Sequence, residues 1–128
     1  MRIIKSIFKS GKANKKTATK VACFPWIVIS DIAQIEECIE ASKHNTVVIF
    51  KHSTRCGISR AVLKAFEKQT EQLDSTTFYY LNLIKYRAIS NEIASYFGVV
   101  HQSPQLIILK DGLVVAHNSH YDLLSVTF

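Results

Sequence analysis

Hydrophobic positions along this chain switch between two periods, and the switches mark its elements. Trp26-Ile27-Val28-Ile29 is a short apolar run that reads as a strand. Ser30 and Asp31 supply N-cap chemistry for a helix over about 31–43, with Ile32, Ile35 and Ile39 on one stripe. Thr46-Val47-Val48-Ile49-Phe50 is β-branched and continuously apolar, the pattern of a central parallel strand. A helix over about 57–71 follows, with Ile58, Val62, Leu63 and Phe66 facing inward. Phe78 to Leu83 predicts a third strand, and Ser90 can cap a helix over about 91–97 that stops near Gly98. Leu106–Leu109 and Leu113–Ala116 flank Asp111-Gly112, a strong two-residue hairpin turn. The order βαβαβαββ predicts an α/β fold: a mixed five-stranded sheet flanked by helices, with right-handed crossovers. Only Tyr121 to Phe128 remain as a short C-terminal remnant.

Length and composition narrow this further. The 128 residues fit one domain, and 48% hydrophobic with 20% charged residues is ordinary for a globular protein. No stretch approaches the roughly 18 apolar residues of a membrane span. The start, MRIIKSIFKS, lacks the unbroken apolar run and cleavage site of a secretory signal, so a cytoplasmic location is expected. The net charge of +6 is unevenly placed. Residues 1–24 hold seven basic side chains and no acidic one, leaving residues 25–128 with nine basic against ten acidic, a net of −1. Residues 1–24 therefore read as a basic extension and 25–128 as the domain. The body offers no basic face for nucleic acid. Within the extension, Ile3-Ile4 and Ile7-Phe8 could dock on the body or on a membrane surface, or stay disordered; membrane contact is the least favoured.

The chemistry concentrates in VVIFKHSTRCGISR, residues 47–60. A buried strand ends, a polar loop follows, and Cys56 stands where the next helix begins. Sites in open α/β sheets form beyond the carboxyl ends of strands. A helix start and nearby positive charge, from Arg55 with Lys51 or His52 as further candidates, favour the thiolate, which is the nucleophilic form. Ser103-Pro104 precedes a strand that proline cannot enter comfortably, and a cis peptide is expected there. Cys38 falls near the buried stripe of the first helix, an inert core thiol. Cys23 precedes the first strand; if that strand runs parallel to the second, it starts about 15 Å from Cys56 at about 3.3 Å per residue, beyond the roughly 7 Å that a disulfide allows, so Cys23 can resolve Cys56 only if the tail wraps around. His44, His52, His101, His117 and His120 match no zinc spacing, and no metal is expected.

With the element order, the helix-starting cysteine and the proline before the fourth strand in place, the chain resembles the thioredoxin fold. KHSTRCGIS, RAISNEIASYFGVVHQSPQ and KDGLVVAHNSH resemble the YtxJ-type monothiol bacilliredoxins over roughly Trp26 to His120. The resemblance implies a thiol–disulfide oxidoreductase with Cys56 as nucleophile, Pro104 as the site proline and no bound cofactor. It also implies bacillithiol as co-substrate and S-thiolated proteins as clients. Ser59 stands where dithiol relatives carry a second cysteine; it could donate a hydrogen bond to the sulfur or be a plain helix-surface residue. Lys51, His52, Thr54, Arg55, His101, Gln102 and Ser103 are candidates for small-thiol recognition or solvated surface. Two other functions compete. Cys56-Gly57-Ile58-Ser59 also resembles the motif of monothiol glutaredoxins that carry a [2Fe–2S] cluster, but the Gly-Gly segment of those proteins is replaced by KDGLVV. A non-catalytic binding module is the third reading.

Overall fold

A computed structural model of the chain describes residues 24–70, 73–126 and 128. The basic extension, with its Ile3–Phe8 segment and Cys23, lies outside these residues except for Phe24. The described strands are β1 (Trp26–Val28), β2 (Thr46–His52), β3 (Thr76–Asn82), β4 (Gln105–Lys110) and β5 (Leu113–Ser119). The helices are α1 (Gln34–Ala41), α2 (Gly57–Thr70) and α3 (Arg87–Phe97), and a 3-10 helix spans His120–Ser125. The sheet order is β1-β3-β2-β4-β5. β1 and β2 both pair parallel with β3, while β4 runs antiparallel to β2 and to β5. This is the mixed α/β sheet expected from the alternating pattern.

β2 sits at the centre because its side chains are apolar on both faces. Val47 and Ile49 enter one cluster with Ile35, Cys38, Leu81, Ile93 and Ile107, under α1 and α3. Val48 and Phe50 enter the other, with Val62, Phe66, Leu106 and Leu123, under α2 and the 3-10 helix. Cys38 is fully buried, as expected. Burial, helped by Glu37, pushes its thiol up to about 12.

Several boundaries differ from expectation, each for a local reason. The first helix begins at Gln34, because residues 31–33 form a turn in which the Asp31 carboxylate accepts the Ala33 N–H at 2.8 Å. The Gln34 side chain accepts the Ser30 and Asp31 N–H groups. Ile32 is consequently exposed, not on the stripe. Ile58 is exposed too, and the inward position on that turn of α2 belongs to Ser59. Ser90 is not a cap: α3 starts three residues earlier, after an Asn82 side chain that accepts two N–H groups of the preceding loop. The helix ends on Gly98 in the left-handed region, as the sequence indicated. Asp111 (φ 53) and Gly112 (φ 79) both adopt positive φ, the turn that matches the twist of the hairpin strands.

The short C-terminus still closes its sheet face. Leu123 is fully buried, and the Gln69 amide holds the Leu124 carbonyl at 2.8 Å. Phe24 and Trp26 complete the cover: Trp26 stacks on Phe66 and meets Phe50 edge-on, Phe24 meets Phe78 edge-on, and the Trp26 indole donates to Glu67 at 2.6 Å. No helix among the described residues is long and apolar enough to cross a membrane. Because Leu123 is the one side chain of the 3-10 helix that is fully enclosed, Leu123→Ala is expected to cost about 2–5 kcal/mol of stability. Urea unfolding measures this, and a loss well below that range would show that the aromatic cover closes the face by itself.

Candidate active site

The site forms where β2 runs out of the sheet. Its last residue, His52, pairs with Asn82, and the chain then turns through Ser53-Thr54-Arg55 into α2. The Cys56 N–H donates to the Ser53 carbonyl at 3.2 Å, and the Cys56 carbonyl accepts the Arg60 N–H at 3.1 Å. Cys56 is therefore the residue that caps α2, half-buried, with its side chain at the helix start. Arg60 reaches back along the helix and donates from Nη1 to the Thr54 carbonyl at 3.2 Å, which latches the loop across the first turn.

Ser59 is fully buried beneath this loop. Its Oγ accepts the Ser53 N–H at 3.1 Å and lies 2.8 Å from His52 Nδ1. Burial, and secondarily Arg60, lowers the His52 pKa, so the ring is neutral near pH 7. A neutral imidazole presents either a proton or a lone pair at Nδ1, and the Ser59 hydroxyl can meet either one. Its contacts among the described residues are with His52 and Ser53. Among the described residues it makes no hydrogen bond to the Cys56 sulfur, which corrects that expectation. Nor is Ser59 a surface residue.

Two recognition candidates are also misplaced by the sequence reading. Lys51 is fully buried and His52 nearly so, and neither presents a charged group to solvent. Lys51 Nζ donates to the Ser90 carbonyl at 3.1 Å and approaches His101 Nδ1 at 3.5 Å. Burial pushes its ammonium down to about 8, and Arg87 adds to the shift. The sequence did contain the signal: Lys51 continues the alternation of Val47 and Ile49 into the same face of β2. Thr54, Arg55 and Gln102 are exposed, as recognition requires.

The second half of the site is the loop before β4. The Ser103–Pro104 peptide is cis. Pro104 is buried and directly precedes Gln105, whose Cα pairs across the sheet with Lys51. Pro104 and Cys56 therefore flank the same end of the same two strands. The Gln105 amide donates to the Val100 carbonyl at 2.8 Å and supports the loop from below. The Ser103 backbone N–H and C=O carry no hydrogen bond among the described residues. Arg60, Ser53 and Ser90 were not read from the sequence as site residues. Their roles depend on which groups the loop and α3 bring together, and no local motif carries that. No group of three or more His, Cys, Asp or Glu side chains that could hold a metal ion occurs among the described residues.

Two consequences can be measured. Iodoacetamide at neutral pH should modify Cys56 well ahead of Cys38, because Cys38 is enclosed and its thiol is held protonated. Equal labelling, read by peptide mass spectrometry, would contradict that burial. Ser59→Ala should destabilise the protein by about 1–3 kcal/mol, since it strands the Ser53 N–H and one His52 nitrogen in a buried setting. Thermal or urea unfolding checks it, and an unchanged midpoint would show that the loop is not held by this hydroxyl.

The model of the family described as monothiol bacilliredoxin BrxC matches residues 27–127. Among solved structures, the chain is similar to one described as a candidate oxidoreductase with a thioredoxin fold. The identity there is 35%, covering 77% of this chain and 85% of that one, with a TM-score of 0.69. It is also similar to thioredoxin from Trypanosoma brucei brucei, at 19% identity over 81% of this chain and 87% of that one, TM-score 0.62. A thioredoxin from Malassezia sympodialis matches at 24% identity over 74% and 78%, TM-score 0.59. The two thioredoxins bear on the fold alone.

Proposed function

The chain belongs to the monothiol bacilliredoxin family of thioredoxin-fold thiol oxidoreductases, and from that premise we propose that it removes bacillithiol from mixed disulfides on client proteins through Cys56. The observation that carries this reading is a half-buried cysteine at a helix start whose i+3 neighbour is a serine already committed to other partners. A local disulfide cannot form, so Cys56 leaves the first step carrying the small thiol.

The exchange has two steps. The Cys56 thiolate attacks the bacillithiol sulfur of the mixed disulfide, the S–S bond to the client breaks, and the client departs as a thiolate. A second small thiol, as its thiolate, then attacks the bacillithiol sulfur of the Cys56 adduct. The product is the small-thiol disulfide, and the Cys56 thiolate is regenerated. The N–H and C=O of Ser103, which make no hydrogen bond among the described residues, are suited to pair with an extended substrate backbone, in the manner of an added strand. Pro104 shapes that edge of the site. Arg55 supplies an exposed cation for a carboxylate of the small thiol, with Thr54 and Gln102 as polar neighbours. Lys51 and His52 are not assigned to recognition, because they are buried. This chemistry requires no bound cofactor or metal, nucleic acid or membrane, and it suits a reducing cytoplasm.

The test is intact-protein mass spectrometry after incubation with oxidised bacillithiol and, in parallel, oxidised glutathione. One adduct at Cys56 is expected, with preference for bacillithiol. Cys56→Ser should lose the adduct and all release of free thiol from a bacillithiolated client. Absence of an adduct with every small thiol would end the oxidoreductase assignment for Cys56. A coloured protein from anaerobic purification would instead favour the iron–sulfur reading.

A further inference from the structure

Lys51 is an expensive residue to place where it is. Its side chain is fully buried on the α1/α3 face of β2, and no carboxylate pairs with it among the described residues. An apolar side chain of similar length would occupy that space without desolvating a charge. What the ammonium does there is join two elements. It donates to the Ser90 carbonyl on α3 at 3.1 Å and reaches His101 Nδ1, in the loop before Pro104, at 3.5 Å. The Ser90 hydroxyl meets the same ring nitrogen at 3.1 Å. An ammonium can only donate, and a lone pair on Nδ1, open to either Lys51 or Ser90, belongs to a neutral His101 ring. The direction of the His101 shift agrees: burial first, then Lys51 and Arg87, hold its pKa below the usual value. Gln105, the strand partner of Lys51, grips the same loop at Val100.

We propose that Lys51 is a positioning residue: its buried ammonium pins the His101–Pro104 loop to α3 and so sets the edge against which a disulfide substrate lies beside Cys56. This rests on the proposed reaction for its functional half only; the pinning itself is a property of the fold. The charged and titratable groups that face Lys51 are Arg87 on α3 and His101 on the loop. The His101 pKa lies below its usual value, so that ring is neutral at and above pH 7. Raising the pH through about 8 therefore removes one proton from this cluster, that of Lys51. The charge-assisted contacts weaken with it.

Lys51→Met in the full chain separates this role from simple packing. Backbone amide NMR order parameters at His101, Gln102 and Ser103 should fall in the variant. Its kcat/KM on a bacillithiolated peptide should drop about tenfold at pH 7, mostly through KM, the scale expected for a slightly misplaced binding edge. The ratio of wild-type to variant kcat/KM should fall as the pH is raised, with a midpoint near 8. Unchanged order parameters in the loop, or a ratio independent of pH, overturns the proposal. A wild type that turns over no small-thiol mixed disulfide would refute the proposed reaction, while the order parameters would still decide the pinning. Should Lys51→Met fail to fold, His101→Leu removes the acceptor from the partly exposed end of the same contact. His101→Leu should lower the loop order parameters and His101→Gln, which keeps an acceptor, should restore them; wild-type values in His101→Leu overturn the proposal.

Discussion

The burial of β2 on both faces is the constraint on which the rest depends. A strand at the centre of a sheet, with α1 and α3 on one side and α2 on the other, must alternate its side chains between two dry layers. That alternation does not stop where the apolar residues stop. Lys51 follows Ile49 into one layer and His52 follows Phe50 into the other. Each arrives as a polar group that has to find partners inside the protein.

The partners they find are the parts of the site. His52 meets Ser59, which holds Ser53, so the loop carrying Cys56 is fastened to the first turn of α2. Lys51 meets Ser90 and His101, which lead to the loop carrying Pro104. The two halves are thus each secured by a polar residue at the end of one strand. Desolvation keeps His52 neutral and lowers the Lys51 pKa, so the supports have different charge states near neutrality. Only one of them brings a formal positive charge beneath the site.

A serine at the i+3 position has a structural consequence as well as a chemical one. A thiol there would be a poor substitute for a hydroxyl that meets both the Ser53 N–H and His52 Nδ1. The absence of a second cysteine three residues after Cys56 and the fastening of the Ser53 loop to α2 are in this way the same feature. Thr54, Arg55 and Gln102 remain exposed on the outer surface.

Much of this was legible in the sequence. The continuous apolar run Val47–Phe50, the Asp111-Gly112 turn and the Gly98 stop defined the element order, because strand burial, positive φ and helix termination are local properties. The motif around Cys56 and the proline after Ser103 were local too. Boundaries that depend on side chains reaching back, such as Gln34 to Ser30, were not. The larger misreading concerned Lys51, His52 and Ser59, taken as surface or sulfur-facing groups. Residue type argues for exposure of a lysine; only the tertiary structure decides that α3 and the pre-proline loop close over it. Burial depends on what packs above a residue, and that is set by elements nearly forty or more positions away in the chain.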